Sequence, residues 1–286
     1  MIFHRLSLYV KLTRLDRPIG SLLLLWPSYW ALWLAAGGMP PLKELLIFTV
    51  GTVFMRSAGC AVNDAADAEF DRHVARTAQR VVTAGDVSRR EAVVVGVLLA
   101  AAAGALLFAL NSAVWPWAFA ALAVAFCYPF FKRFFPIPQL VLGVAFSMGI
   151  PLAYAAILGY VPIQAAWVFA ANFCWIVAYD TAYAMADKPD DLRIGIKTSA
   201  VFFGRFDAHA VFVFHALFIC IWTMVLMHSN VRNPVLAYLG LFAAIGLIAR
   251  QLKPVFSRDR AACLKAFLDN NWVGVAVWLG LVSSLI

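Results

Sequence analysis

The stretch AAWVFAANFCWIVAYDTAYAMADKPDD, residues 165–191, decides how this chain folds. Its first part is apolar for about the 20 residues that an α-helix needs to cross the ~30 Å hydrocarbon core of a membrane. Its last part carries four aspartates, which are costly at membrane depth unless they have a partner or a role. The stretch therefore predicts a membrane-spanning helix that ends in an acidic motif at the water interface.

The composition indicates that most of the chain is of this kind. Of the 286 residues, 64% are hydrophobic and 13% are charged, whereas about 25% of the residues of a soluble domain are charged. About nine apolar segments are long enough to span a membrane, with boundaries near residues 19–37, 44–62, 92–110, 114–131, 138–158, 165–184, 208–228, 234–251 and 267–286. The sequence therefore predicts an all-α, polytopic membrane bundle of about nine helices, with residues 1–286 forming one domain.

The distribution of Lys and Arg predicts the orientation of these helices. Most of the 23 basic residues lie at the N-terminus or in alternate loops, whereas Lys43 and Arg232 lie in the opposite loops and Arg56 lies within the second span. Cytoplasmic loops carry such an excess of basic residues, so we expect the N-terminus and the acidic segments to face the cytoplasm. The net charge of +8 therefore reflects topology rather than nucleic-acid binding. The dispersed Cys and His residues form no zinc or haem pattern.

The first acidic motif, residues 63–71, reads NDAADAEFD and follows the second apolar segment. Asn63, Asp67 and Asp71 are spaced by four residues, and Asp64 precedes Asp67 by three. Residues with these spacings share one face of a helix. We therefore expect a helix that extends from the membrane and carries an oxygen-rich face.

The second acidic motif, residues 180–191, follows the sixth apolar segment. Asp180, Asp187 and Asp191 are spaced by seven and four residues, which again places them on one helical stripe. Pro189 disfavours helical geometry at the residue before it. The sequence therefore leaves open whether Asp190 and Asp191 lie in the last helical turn or in a loop.

The two acidic motifs together predict a cation and an anionic ligand. Carboxylates packed this closely repel one another, and hard oxygen ligands favour Mg²⁺ or Ca²⁺. Basic residues follow both motifs, and guanidinium groups beside a divalent ion favour a phosphate ester or diphosphate. Two other readings stay open: a solvated acidic surface, and an ion-coupled secondary transporter with carboxylates along its pathway.

The motifs resemble those of the UbiA-type membrane prenyltransferases. The likeness rests on Asn-Asp-x-x-Asp-x-x-x-Asp at 63–71, Tyr-Asp-x-x-Tyr-Ala-x-x-Asp at 179–187 and Gly-Ile-Lys-x-Ser at 195–199. The segments RLDRPIGS at 14–21 and YPFFKR at 128–133 are similar to the bacterial branch that uses 4-hydroxybenzoate. Val81 and Pro189 depart from the family pattern, and we expect local backbone differences there.

The resemblance implies a helical bundle around a central cavity that is open to lipid. It also implies Mg²⁺-dependent transfer of a polyprenyl group from polyprenyl diphosphate to the ring of 4-hydroxybenzoate, on the pathway to ubiquinone. The expected protein is a monomeric, multi-pass protein of the bacterial inner membrane with a cytoplasmic active site. Transfer to another aromatic acceptor is the alternative within this class.

Roles for single residues follow from the resemblance and the charges. The expected metal ligands are Asp64, Asp67, Asp71, Asp187 and Asp191, with Asp64 and Asn63 completing or orienting the set. The expected diphosphate contacts are Arg72, Arg76, Arg80 and Lys197. The candidates for the carboxylate of the acceptor are Arg14, Arg17, Lys132 and Arg133. Asp187 is also expected to be catalytic, with Tyr183 stabilising an allylic cation and Asp180 orienting the phenol or accepting the ring proton.

Overall fold

The computed structural model describes residues 2–72 and 77–286, and within these ranges the chain is helical and contains no β-strand. Seven side chains in these ranges are also outside the description: Ile2, Phe3, Phe70, Pro129, Phe130, Lys132 and Arg133. The α-helices of the described chain are α1 (Ile2–Leu12), α2 (Ile19–Ala36), α3 (Leu42–Asp71), α4 (Arg89–Leu106), α5 (Trp115–Phe134), α6 (Pro138–Ser147), α7 (Gly149–Leu158), α8 (Ile163–Ile194), α9 (Ser199–Phe203), α10 (Asp207–Met227), α11 (Pro234–Ser257) and α12 (Arg260–Leu285).

The helices confirm the predicted all-α membrane architecture. Six stretches are long and apolar enough to cross a membrane, namely Ile19–Ala36, Leu42–Glu69, Arg89–Ala109, Pro138–Leu158, Ser199–Met227 and Pro234–Ser257. A shorter apolar helix covers Ser112–Tyr128. The long helices α8 and α12 occupy the two remaining predicted segments. By length and hydropathy alone, the described residues therefore contain six membrane spans. The predicted number of about nine also counts the apolar helix at Ser112–Tyr128 and helices α8 and α12.

The predicted span at 138–158 consists of two helices, α6 and α7, which meet at Met148. Pro151 lacks the N–H that would bond to the carbonyl of Ser147, so the helix is interrupted one turn before the proline. The Ser147 hydroxyl donates to the Gly143 carbonyl at 2.7 Å and accepts from the Asn172 amide at 2.8 Å. This buried side-chain pair joins the interruption to α8.

Both acidic motifs lie on helices that continue past the apolar segments. Helix α3 ends at Asp71, as expected. Helix α8 continues through Pro189 to Ile194, so the alternative that placed Asp190 and Asp191 in a loop is wrong. Pro189 removes the backbone hydrogen bond to the Met185 carbonyl. Met185 is buried in an apolar core that holds this part of α8 against α10, α11 and α12.

The main core is an aromatic cluster contributed by α2, α8 and α10. Trp30 lies 5.2 Å from Trp175 and 5.3 Å from Trp222, measured between ring centroids. The Trp30 indole is anchored, since it donates to the Gly274 carbonyl at 3.2 Å on α12. The buried indole N–H of Trp222 has no hydrogen-bond partner among the described residues. The cluster therefore fixes the helices that carry the second acidic motif.

Candidate active site

The first acidic motif is bound directly by two arginines. Asp64 is buried, and both of its carboxylate oxygens accept from Arg14 Nη2, at 2.8 and 3.0 Å. Arg80 Nη1 donates to Asp64 Oδ1 at 3.1 Å and to Asp71 Oδ2 at 2.8 Å. Charge-assisted bonds of this length are strong in a desolvated setting. Arg80 therefore joins carboxylates that lie two turns apart on α3.

Arg14 reaches Asp64 because of the conformation of the chain before α2. Its backbone has a positive φ of 58°, a conformation that costs energy in a residue other than glycine. Two contacts hold this turn: the Ser57 hydroxyl donates to the Thr13 carbonyl at 3.1 Å, and Arg14 Nη1 donates to the Lys11 carbonyl at 2.7 Å. The turn is therefore held against α3, and it carries a cation to the first acidic motif.

Helix α1, which was not predicted, supports this turn. Leu8 and Leu12 are buried against small residues of α3 and against Val87. The Tyr9 hydroxyl donates to the Glu91 carboxylate at 2.6 Å, and this hydrogen bond raises the pKa of Tyr9 above its ordinary value. The apolar contacts and this bond dock α1 on the end of α3.

In the second acidic motif, two residues between the predicted ligands Asp187 and Asp191 are tied to neighbouring helices. Asp190 Oδ2 accepts from Arg260 Nη1 at 3.2 Å, and Arg260 Nη2 forms an ion pair with Asp190 Oδ1 at 3.2 Å. Lys188 donates to Asp207 at the start of α10. Asp191 is buried and Asp187 is partly exposed. The motif is thus tied to α10 and α12 through Lys188 and Asp190.

An aromatic wall lies one and two turns before Asp187. The Tyr183 ring is 4.8 Å from Phe267, and the Tyr179 ring is 5.7 Å from the same side chain. Trp175 continues the row, and its indole donates to the Asn270 side chain at 2.8 Å. These faces provide an apolar, electron-rich surface on α8 next to the second motif.

The two motifs lie at the C-terminal ends of α3 and α8, and the predicted topology places both ends on the same face of the membrane. The segment after α8 returns to this face as well: Lys197 donates to the Phe134 carbonyl at the end of α5, at 2.9 Å. Among the described residues, no three His, Cys, Asp or Glu side chains form a ready-made metal group. Asp67, Asp180, Asp187 and Asp191 each have an interaction partner.

Several other predicted residues lie on this face without a defined role. Arg72 and Arg17 are exposed, and Arg17 is 3.7 Å from the neighbouring Asp16. Asn63 is partly buried beside Asp64. Arg76 lies outside the described residues, and so do the side chains of Lys132 and Arg133.

Sequence reasoning assigned no role to Arg56, which the structure places between the two motif helices. Its guanidinium lies against Gly20 of α2, where an added Cβ would be 2.9 Å from Arg56 Nη2. It is within electrostatic reach of Tyr179 on α8, as is Asp180. Its buried Nε has no hydrogen-bond partner in the described part of the chain. A lone arginine in an apolar span, two turns before Asn63, is the sequence signal that identifies it.

An all-helical membrane bundle with two aspartate-rich, arginine-flanked motifs on one face is typical of enzymes that bind a lipid diphosphate. The matching family model, the UbiA prenyltransferase family, covers residues 24–279. The chain belongs to this family.

Bacterial relatives align over nearly the whole chain. A protein of Nitrosospira multiformis named 4-hydroxybenzoate octaprenyltransferase is 53% identical, with 98% of this chain and 96% of the relative covered. A protein of Polynucleobacter asymbioticus with the same name is 51% identical, with 99% and 98% covered.

Solved structures share the fold. The apo structure of a UbiA homolog from Aeropyrum pernix K1 has a TM-score of 0.77 at 24% identity, with 93% of this chain and 98% of that chain covered. A UbiA homolog from Archaeoglobus fulgidus, bound to GPP and Mg²⁺, has a TM-score of 0.70 at 17% identity, with 96% and 99% covered.

Proposed function

We propose that this chain transfers a polyprenyl group from polyprenyl diphosphate to the ring of 4-hydroxybenzoate, an early step towards ubiquinone. The names of relatives that are about half identical over nearly the full length support this activity and favour an octaprenyl group. The whole chain acts as one membrane domain, as a monomer in the bacterial inner membrane, with its site on the cytoplasmic face. The observation that carries the proposal is the position of Arg56, a partly buried cation on α3 that lies two turns before the first acidic motif and within electrostatic reach of Tyr179 on α8.

The acidic motifs fit a magnesium site. Their donors are carboxylate and amide oxygens, the ligand type that Mg²⁺ prefers, and the proposed ligands are Asp64, Asp67, Asp71, Asp187 and Asp191, with Asn63. When bound, Mg²⁺ would neutralise negative charge on the diphosphate leaving group. GPP and Mg²⁺ bound to the related archaeal protein support this assignment.

The arginines of the first motif supply the remaining positive charge. Arg80 is held between Asp64 and Asp71, so its guanidinium is fixed at the motif before substrate arrives. Arg14 is fixed by the same carboxylate. Fixed cations stabilise charge that grows on a leaving group without reorganising. Arg72, Arg76 and Lys197 are the further diphosphate contacts that we propose on this face.

Arg56 is proposed to bind the carboxylate of the acceptor. It lies seven residues before Asn63, about 10 Å deeper along α3 at 1.5 Å per residue, and Asp180 lies the same distance before Asp187. A guanidinium forms a two-point contact with a carboxylate, and the buried Nε supplies an unused donor. Arg14 is engaged with Asp64, and Arg17 is exposed, which makes them weaker candidates. Lys132 and Arg133 remain proposals whose side chains lie outside the described residues.

The reaction then divides between α3 and α8. The allylic C–O bond of the prenyl diphosphate breaks, and the bond electrons leave with the diphosphate. The ring carbon ortho to the phenol of 4-hydroxybenzoate forms the new C–C bond, and the proton on that carbon leaves to Asp180. The aromatic face of Tyr183 stabilises the allylic cation during transfer.

A product assay tests the function. Membranes that contain the wild-type protein should convert 4-hydroxybenzoate and octaprenyl diphosphate, with Mg²⁺, into a product whose mass is the sum of the acceptor and the prenyl group less one proton. Shorter prenyl diphosphates and other hydroxylated benzoates define the preference. If no such product formed, or if proteoliposomes instead carried substrate flux, the proposed activity would be wrong.

The acceptor site has its own test, based on Michaelis constants. Arg56→Met should raise the KM for 4-hydroxybenzoate by roughly 10-fold or more, because a charged hydrogen bond is lost, and should leave the KM for the diphosphate nearly unchanged. Gly20→Ala should act in the same direction, because its methyl group displaces the Arg56 guanidinium. Gly59→Ala, on the same helix with open space around it, is the control. An equal rise in both constants would exclude this role for Arg56.

A further inference from the structure

Asp207, at the start of α10, is a fully buried carboxylate outside both acidic motifs. Its Oδ2 accepts from Lys188 Nζ at 2.6 Å. Its Oδ1 accepts from Arg258 Nε at 2.9 Å and from the Ala208 N–H at 2.7 Å. Burial of a carboxylate away from water costs free energy, and this cost is offset only when the hydrogen-bond partners are well placed.

The two cations that bind Asp207 come from different parts of the chain. Lys188 lies on α8 between the proposed ligands Asp187 and Asp191, and its Nζ also donates to the Gly204 carbonyl at 2.6 Å. Arg258 follows α11, has a positive φ of 55°, and donates to the Arg205 carbonyl at 2.7 Å. Asp207 therefore gathers α8, the turn before α10 and the end of α11 at one point.

The last two turns of α8 need such support because of Pro189. This residue removes one backbone hydrogen bond from the turn that carries Asp187. Rotation or fraying of the helix there would move Asp187 and Asp191 together, since both lie on the same stripe. Lys188, which is held by Asp207 and by the Gly204 carbonyl, opposes that rotation.

We propose that Asp207 is a positioning residue for the second acidic motif. Through Lys188 it fixes the rotation of the end of α8 and thereby sets the affinity for the divalent metal and diphosphate, but not for the aromatic acceptor. The proposal rests on the proposed function, since it takes the second motif to be part of the metal and diphosphate site. Groups that orient metal ligands from outside the site change metal affinity by roughly 10–100-fold when they are removed.

Metal binding without turnover provides the first test. Purified full-length protein is titrated with Mn²⁺ in the presence of inorganic pyrophosphate, and bound Mn²⁺ is followed by electron paramagnetic resonance. Asp207→Asn and Lys188→Met should each weaken Mn²⁺ binding by about 10-fold or more. Lys188→Arg, which keeps the positive charge, should retain most of the wild-type affinity. Asp259→Asn is the control, because Asp259 only caps α12 through the Ala262 N–H at 2.8 Å.

Two further readouts separate positioning from general destabilisation. The KM for prenyl diphosphate should rise in Asp207→Asn, whereas the KM for 4-hydroxybenzoate should not change. The double variant Asp207→Asn/Lys188→Met should bind Mn²⁺ no more weakly than the single variant with the lower affinity, because both changes remove the same contact. If Asp207→Asn fails to fold, Lys188→Met decides, since its side chain is partly exposed.

The results that overturn the proposal differ from those that overturn the proposed function. Unchanged Mn²⁺ affinity in folded variants, an equal rise in both Michaelis constants, or additive losses in the double variant would exclude the role of Asp207. Failure of the wild-type protein to bind Mn²⁺ with pyrophosphate or to form the prenylated product would instead remove the proposed function, and the positioning role with it.

Discussion

The two acidic motifs lie at the ends of α3 and α8, and the described contacts tie them to different partners. In the first, the aspartates themselves accept from cations of neighbouring loops, with Arg80 between Asp64 and Asp71. In the second, Asp190 pairs with Arg260, and Lys188 reaches Asp207. The first motif is thus held through two of its proposed ligands, whereas in the second motif the residues between the proposed ligands carry ties of their own.

This difference indicates a division of labour. The arginines of the first motif lie at the carboxylates, where they also serve as fixed cations for an anionic substrate. The ties of Lys188 and Asp190 in the second motif join α8 to α10 and α12, so they orient the helix end. The arginines of the first motif should therefore contribute both to stability and to the reaction. The ties of Lys188 and Asp190 should contribute mainly to the geometry of the second motif.

The largest expected effect tests whether both motifs serve one site. Asp67→Ala and Asp187→Ala should each lower kcat by roughly 10²–10³-fold with excess Mg²⁺, as expected for the loss of a group that stabilises charge in the transition state. Glu69→Gln is a matched control on α3, because its side chain is 73% exposed and pairs with Arg89. Near-normal turnover of either alanine variant would show that this aspartate is not a ligand.

A smaller effect distinguishes the two ways of holding a motif. Arg80→Met should lower the free energy of unfolding by about 3 kcal/mol, because it leaves the buried Asp64 and Asp71 short of a partner. Arg260→Met should cost about 1 kcal/mol or less, since that guanidinium is 48% exposed and its pair with Asp190 is screened by solvent. Thermal unfolding in detergent measures both, and equal losses would contradict the comparison.

The smallest effect concerns the turn that delivers Arg14. Ser57→Ala should cost about 1 kcal/mol, the usual value for one hydrogen bond, because the buried Thr13 carbonyl loses its donor. The same variant should raise the KM for the diphosphate slightly and leave that for the acceptor unchanged. Thr223→Ala is a comparable control, because its hydroxyl only bonds to Ile219 within α10. A loss as large as that of Arg80→Met would mean that the turn, rather than the ion pairs, holds the first motif.

Much of the fold was predictable because membrane helices are encoded by local hydropathy. The bounds of α2, α4 and α10 match the predicted segments within a few residues, whereas α3 continues beyond its predicted segment through the first acidic motif to Asp71. The interruption between α6 and α7 was missed, since a proline inside an apolar run is compatible with a continuous or a broken helix. The end of α8 was left open for the same reason, and packing around Met185 decided it.

The site was only partly predictable, since the motifs are local in sequence but their partners are not. Asp67 and Asp187 were chosen from their spacing within the motifs and from the family resemblance. The contact of Arg14 with Asp64 joins residues 50 positions apart, and that of Lys188 with Asp207 depends on the docking of α10. Arg56 carried a signal, as a lone charge in a span, but its place beside Gly20 and Tyr179 required the packing of three helices.

The sequence by itself determined that this chain spans a membrane and which ends of its helices are acidic, because hydropathy acts segment by segment, and the distribution of basic residues predicts which face those ends share. Only the tertiary structure decided which cation belongs to which carboxylate. Such pairing depends on distances of a few ångströms between helices far apart in the chain, and buried charges are stable only where those distances are met.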